Sequence, residues 1–362
     1  MTAQADLREV AAPSLYDCVG ARLNALIPSF GLLAERTTIK HAYRLACREA
    51  LGLSTGRRPL RMSRLNADGT PFQFGLTLGT SGSALQFVTE TGPPLAGPAE
   101  RAASARRSIH RLAALAGTRE GLSLVTELVS EFAPPEDPDL LAEGAGALWI
   151  GAAFAPGRSP RLKVYVNAKW GRQEARWARL AAFADRVGAA HDWKATRGLV
   201  DELEPLGISL TLAAGAAPAA RIYLSGYGRS FSYYERLGTA CGGPAFAQLL
   251  RRYGQTMLTG DYRYPSRSAV WSLGTVAGSL VDCKLELCGH CSFASDARIR
   301  ARCLEWLPQM NVSPELYLKV VDVLSGGTPS AVDARLHAYV GVGMNRGQPY
   351  STFYFNPAAG PP

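Results

Sequence analysis

Apolar and polar residues alternate one by one along this chain, in short runs that come in pairs. In LKVYVN (162–167), Leu162, Val164 and Val166 share one side of an extended backbone. Lys163 and Tyr165 share the other, because successive strand side chains face opposite ways. The same alternation predicts strands over 60–67, 71–79, 84–92, 146–154, 161–169, 207–215, 220–228, 269–276, 280–288, 335–343 and 349–357. Asp68-Gly69, between the first two, is a strong tight-hairpin signal. Apolar residues at mixed three and four spacing predict helices over Leu7 to Leu26, Thr37 to Leu51, Ala99 to Leu115, Leu122 to Phe132, Gln173 to Ala190, Tyr234 to Tyr253, Ala294 to Leu307 and Ser313 to Leu324. Pro28 and Gly31 punctuate between the first two helices.

The polar strand faces repeat as well. Arg221 and Tyr223 oppose Ile222 and Leu224; Asp282, Lys284 and Glu286 oppose Cys283, Leu285 and Leu287. Tyr350, Thr352 and Tyr354 oppose Ser351, Phe353 and Phe355. Lys163, Arg221, Lys284 and Tyr350 recur about every 60 residues, the mark of a repeated unit, here a hairpin plus one or two helices. Counting the strands near 60–90 as one pair gives five units and about ten strands. A flat sheet of that size leaves two edges. Closing it, aliphatic face outward under the helices, removes them. Because about eight strands are just filled by side chains, ten leave room for a ligand chamber. The expected fold is α+β, a ten-stranded antiparallel β-barrel surrounded by an outer ring of helices. One barrel domain is expected over 1–362, with helices in 1–59, repeated units in 60–357 and a frayed tail at 358–362.

Composition narrows the class. The 362 residues are 47% apolar and 19% charged, enough for a sizeable core. A net charge of +9 favours anionic partners: nucleic acid, an acidic membrane surface or a phosphorylated small molecule. No signal-peptide pattern and no run of about 18 apolar residues occurs, so a cytoplasmic protein away from the membrane is expected. The seven cysteines, an odd number spread thinly, read as reduced thiols.

Polar side chains inside a barrel are costly unless they serve a ligand or one another. Lys163, Arg221 and Lys284 converging from neighbouring strands make an anion site suited to phosphate. Interleaved tyrosines offer ring faces that stabilise a cation. An anion cradle beside a cation shield points to a reaction that splits one molecule into diphosphate and a carbocation.

LKVYVN, ARIYLSG, DCKLELCGHC and PYSTFYFNP, in this order and spacing, resemble the aromatic prenyltransferases of the tryptophan dimethylallyltransferase type, bacterial branch, over about residues 60–357. The resemblance implies a barrel of α-β-β-α units. It also implies transfer of a dimethylallyl group from dimethylallyl diphosphate to an electron-rich aromatic acceptor, most fittingly an indole-type compound in secondary metabolism. No cofactor and no metal is implied. By the same resemblance Lys163, Arg221 and Lys284 are diphosphate ligands, Arg221 falling where lysine is usual, with Arg346 a looser match. Tyr165, Tyr223, Tyr350 and Tyr354 match shielding tyrosines.

Three departures bear on the acceptor. Gln73 stands where the family typically has the glutamate that binds the indole N–H, and Gln86 where an arginine usually contacts diphosphate. Ala219 replaces another common arginine, and GALWIGAAF lacks the acid/base lysine of fungal relatives. A glutamine can accept a hydrogen bond but cannot act as a base near neutral pH. Either the departing diphosphate removes the proton, or the acceptor is more activated than tryptophan: a carbazole, a phenol or a modified indole.

Other motifs have plainer explanations. Cys288, His290 and Cys291 in CGHC, with Cys283 and Cys303 near in sequence, offer one zinc-like ligand pair where structural sites usually need two. The arginines of ERAASARRSIHRLAALAG fit the solvated side of an amphipathic helix, and PPEDPD fits a loop. The expected partners are the two small substrates, with no nucleic acid or membrane, in a monomer or weak homodimer. The competing class is a basic nucleic-acid-binding barrel without catalysis, which requires exposed aromatics and arginines. A non-catalytic pocket for an aromatic phosphate ester differs only in lacking turnover.

Overall fold

The computed structural model describes residues 14–52, 63, 65–66, 69–80, 82–93, 96–118, 121–133, 147–258, 269–326 and 336–357. Ten strands close on themselves in chain order: β1 (Phe72–Gly79), β2 (Gly82–Glu90), β3 (Leu148–Phe154), β4 (Arg161–Asn167), β5 (Glu204–Ala213), β6 (Ala219–Gly226), β7 (Ala269–Val276), β8 (Ser279–Cys288), β9 (His337–Asn345) and β10 (Gln348–Phe355). Every neighbour is antiparallel, and β1 pairs with β10 through Phe74↔Phe355 to Gly79↔Tyr350 to complete the ring. Among the described strands, none keeps a free edge.

Helices wrap the outside: α1 (Leu15–Ser29), α2 (Arg36–Cys47), α3 (Pro98–Leu115), α4 (Leu122–Phe132), α5 (Gln173–Arg186), α6 (Ala190–Arg197), α7 (Phe231–Leu258), α8 (Gly289–Ser292), α9 (Asp296–Gln309) and α10 (Glu315–Ser325). The core lies between them and the barrel wall. Outward strand residues such as Phe74, Ile150, Leu285 and Phe353 are fully buried there against Phe183, Trp306 and Tyr317. Burial of each such side chain contributes about 1.5–3 kcal/mol.

The sequence expectations hold for the ring and fail at particular boundaries. The hairpin across Asp68-Gly69 does not form the first pair. Both edges of β1 are taken, one by β2 and the other by β10. Of that segment, Ser63, Leu65 and Asn66 are described and are not in a strand; the rest lies outside the described residues. The helix expected from Leu7 begins at Leu15, capped by Ser14, and Pro28 sits in its last turn; residues 7–13 lie outside the description. The helix expected over Gln173 to Ala190 is two, broken at Gly188 with φ 75°. α7 is longer than its periodicity implied and is interrupted at Gly243, with φ 78°, ahead of Pro244. PPEDPD and the tail at 358–362 lie outside the described residues.

Candidate active site

Because all ten strands alternate in direction, β2, β4, β6, β8 and β10 run the same way. Their inward residues therefore climb toward the same end of the barrel. Two residues further is about 6.6 Å along the strand, at a rise of about 3.3 Å per residue. Lys163 and Tyr165 on β4, Arg221 and Tyr223 on β6, Lys284 and Glu286 on β8, and Tyr350 and Tyr354 on β10 share this polarity. The basic-x-tyrosine spacing thus stacks a cation tier beneath an aromatic tier in one lumen.

Glycines on the intervening strands make the space. Lys163 stands opposite Gly151, Tyr223 opposite Gly207, Arg221 opposite Gly274, Lys284 opposite Gly343, Glu286 opposite Gly341 and Tyr354 opposite Gly75. The approach is close. A Cβ on Gly343 would lie 2.4 Å from the Tyr350 ring, and one on Gly75 2.3 Å from Gln86 Cγ. At these six positions the odd-numbered strand supplies room for a side chain of the even-numbered one.

Three cations meet in the lower tier, in different states. Arg221 Nη2 lies 2.9 Å from Asp282 Oδ2, and its Nη1 donates to Ser272 Oγ at 2.9 Å. Burial works against the Arg221 charge, but the Asp282 carboxylate more than restores it. Burial by itself would raise Asp282; Arg221 and the Tyr350 hydroxyl, which donates across 2.8 Å, hold it below the usual carboxylate range. Lys284 Nζ is 2.5 Å from Glu286 Oε1. Lys163 has a neutral partner, donating to Gln86 Oε1 at 2.7 Å. Burial, with Arg161, Lys284 and Arg221 close by, pushes the Lys163 ammonium well below the usual lysine range. Two of the three cations are already paired with carboxylates; Lys163 is the one poised to gain from an arriving anion.

Above them lies a cavity of about 290 Å³ whose walls include Gln73, Trp149, Tyr165, Tyr223, Glu286 and Tyr354, with Tyr339 beside them. That is near the lower limit of small-ligand pockets, about 300 Å³. The Tyr165 and Tyr223 rings are 6.0 Å apart, and Tyr339 meets Tyr354 edge-on at 6.5 Å. Burial raises all four phenols, so they present neutral ring faces. The Lys284 ammonium lies 5.4 Å from the Tyr354 ring centre, a cation already held against an aromatic face.

Gln73 is locked in orientation. Asn66 Nδ2 donates to the carbonyls of Thr70 and Phe72, so its Oδ1 must face Gln73. Gln73 Nε2 donates to that oxygen at 2.6 Å and to the Leu65 carbonyl at 3.1 Å. The Gln73 carbonyl is left as the acceptor presented to the cavity.

The structure thus brings Gln73, Gln86, Lys163, Tyr165, Arg221, Tyr223, Lys284, Tyr350 and Tyr354 to one lumen. Arg346 differs: it sits in the β9–β10 turn with φ 47° and is solvent-exposed, because a two-residue turn leaves its side chain outside the wall. Alternation along β8 places Asp282 and Glu286 on the inward face but assigns neither a role. Tyr339, Trp149, Asn66 and Asn345, which donates to Asp282 at 2.9 Å, were not singled out. Tyr339 and Trp149 follow the same alternation and could have been found by it.

Cys288, His290 and Cys291 gather their ligand atoms within 4.8 Å. Burial and the neighbouring Cys291 push the Cys288 thiol up to about 12. Cys283 faces Cys241, and Cys303 faces Tyr317, so neither adds a ligand.

The closed ten-stranded ring with its helical sheath is the prenyltransferase barrel. Among solved structures of this fold, 5-dimethylallyltryptophan synthase from Streptomyces coelicolor superposes with a TM-score of 0.82 at 20% identity, covering 96% of this chain and 99% of that one. The 6-dimethylallyltryptophan synthase from Micromonospora olivasterospora, in complex with DMASPP and Trp, gives 0.82 at 18%, covering 97% and 100%. AnaPT from Neosartorya fischeri gives 0.75 at 12%, covering 97% and 96%. No family model and no curated protein sequence matches the chain.

Proposed function

We propose that this protein is an aromatic prenyltransferase that moves a dimethylallyl group from its diphosphate to an electron-rich, indole-type ring, without a metal. The observation that carries this is the stacking of Lys163, Arg221 and Lys284 beneath Tyr165, Tyr223 and Tyr354 inside a closed barrel. Solved structures of the same fold are named for dimethylallyltryptophan synthesis, and two are complexes with DMASPP and Trp.

In this proposal the lower tier holds the diphosphate and stabilises the charge that develops as the allylic C–O bond breaks. Lys163 is the principal new contact and Arg221 arrives pre-aimed by Asp282. Tyr165, Tyr223 and Tyr354 keep water from the allyl cation and stabilise it through their faces. Tyr350 completes the lower tier through Asp282, and Gln86 fixes Lys163. Arg346 acts only at the rim. The acceptor ring lies in the upper cavity with its N–H on the Gln73 carbonyl. A monomer or weak dimer in a reducing cytoplasm fits the seven free cysteines.

The nucleic-acid alternative needs cations on an outer surface, whereas Lys163, Arg221 and Lys284 face the barrel interior, paired with Gln86, Asp282 and Glu286. The test is incubation with dimethylallyl diphosphate and a panel of indoles, carbazoles and phenols, with and without a chelator, followed by mass. A gain of one dimethylallyl group on an indole, unaffected by chelation, is expected. No transfer to any acceptor overturns the proposal.

A further inference from the structure

We infer that Glu286 is the base that removes the ring proton after the new C–C bond forms. The assignment rests on the prenyltransferase reading above and names a catalytic group for it.

Geometry singles the residue out. Among the described residues lining the upper cavity, the titratable side chains are Tyr165, Tyr223, Tyr339, Tyr354, Lys169 and Glu286. The phenols are neutral, already carry their protons and are poor proton acceptors. Lys169 is solvent-exposed where it meets the cavity wall. Gln73 presents an amide carbonyl, which binds an N–H but does not take its proton. Two further carboxylates are buried on the inward face and neither lines the cavity: Asp282 is held by Arg221, Tyr350 and Asn345, and Glu90 by Ser63 Oγ and Arg101. Glu286 is therefore the carboxylate available to an acceptor.

Its setting suits the role. The side chain is buried, Oε1 accepts from Lys284 Nζ at 2.5 Å and from Thr352 at 3.3 Å, and it reaches past Gly341, whose missing Cβ would lie 2.6 Å from Glu286 Cγ. Lys284 belongs to the cation tier and Glu286 to the aromatic tier. The pair spans the two.

In the step, the diphosphate departs with the C–O electron pair, and the attacked ring carbon bonds to an allylic terminus of the resulting dimethylallyl cation. The ring C–H bond then breaks. Its electrons restore aromaticity and the proton goes to a Glu286 carboxylate oxygen. Through Lys284 it passes to the diphosphate, which leaves protonated.

The test compares wild type with Glu286→Gln and Glu286→Ala, using dimethylallyl diphosphate and the best indole of the panel, unlabelled and deuterated at the attacked carbon. Both variants are expected to form product about 10²–10⁴-fold more slowly. Inorganic diphosphate should still bind, and diphosphate release should continue as the trapped cation partitions to dimethylallyl alcohol. An isotope effect on kcat should appear in Glu286→Gln and be absent in wild type, and added formate should restore turnover to Glu286→Ala. Should either variant fail to fold, Glu286→Asp, which keeps a carboxylate, must show the isotope effect at reduced kcat. Product formation by Glu286→Gln within about threefold of wild type overturns the assignment alone. So does the lack of any isotope effect in Glu286→Asp. A wild type that never prenylates overturns the parent proposal as well.

Discussion

The Gln73 amide nitrogen donates to Asn66 Oδ1 across 2.6 Å, and Asn66 is itself pinned by two backbone carbonyls. A side chain outside the cavity wall thereby decides which end of Gln73 the acceptor meets. Replacing Asn66 by Ala should leave the amide free to turn. The expected cost is that of one hydrogen bond, about 1 kcal/mol, or a roughly fivefold rise in KM for the acceptor with kcat nearly unchanged. Steady-state kinetics check it, and an unchanged KM counts against the lock.

Lys163 sits in a site that disfavours its charge until an anion arrives. Binding inorganic diphosphate should therefore take up protons, at any pH between the depressed native value and the ordinary lysine value near about 10.4. Calorimetry in buffers of different ionisation enthalpy measures the uptake. With its native value lowered, Lys163 also weakens the free protein progressively as pH falls through that window. Lys163→Met should thus fold at least as well near neutrality while losing about 10–100-fold in diphosphate affinity, the worth of a charged hydrogen bond at about 1.5–3 kcal/mol.

Asp282 has the opposite sign. Its native value is lowered by Arg221 and Tyr350, against the effect of burial. Its contribution to stability is complete above the unfolded value near about 3.9 and is lost as pH falls through the native one. Asp282→Asn, which strands Arg221, should cost about 3–5 kcal/mol at pH 7. Chemical denaturation across pH should show that deficit shrinking only below about pH 4.

Gly343 and Tyr350 form a size-matched pair, since a methyl group at 343 would meet the phenol at 2.4 Å. Gly343→Ala should displace Tyr350 from Asp282, destabilise the protein by about 1–3 kcal/mol and weaken diphosphate binding. In a Tyr350→Ala background the same change should be nearly neutral. A double-mutant cycle measures the difference, and additive effects would rule out the pairing.

The fold was legible because a period of two survives along each strand and a period near 60 along the chain. Lys163, Tyr165, Arg221, Tyr223 and Lys284 could be placed inside by parity alone. The first hairpin was misassigned because Asp68-Gly69 is a local signal, whereas the partners of β1 are set by ring closure through β10, which no local dipeptide records. Arg346, matched by resemblance alone, sits in the β9–β10 turn, where strand parity does not reach. Asp282 and Glu286 lay on the right face, but their pairing with Arg221 and Lys284 depends on distances across the lumen.

The glycine-opposite-functional-group arrangement couples the staves of the barrel two by two. A residue gaining bulk on an odd-numbered strand must be matched by one losing it on an even-numbered neighbour, so drift in related chains should leave correlated columns at pairs such as 343 with 350 and 75 with 86. Compensated exchanges across the hydrogen-bonded ladder would then reshape both tiers of the lumen together, because Tyr350 and Gln86 also hold Asp282 and Lys163.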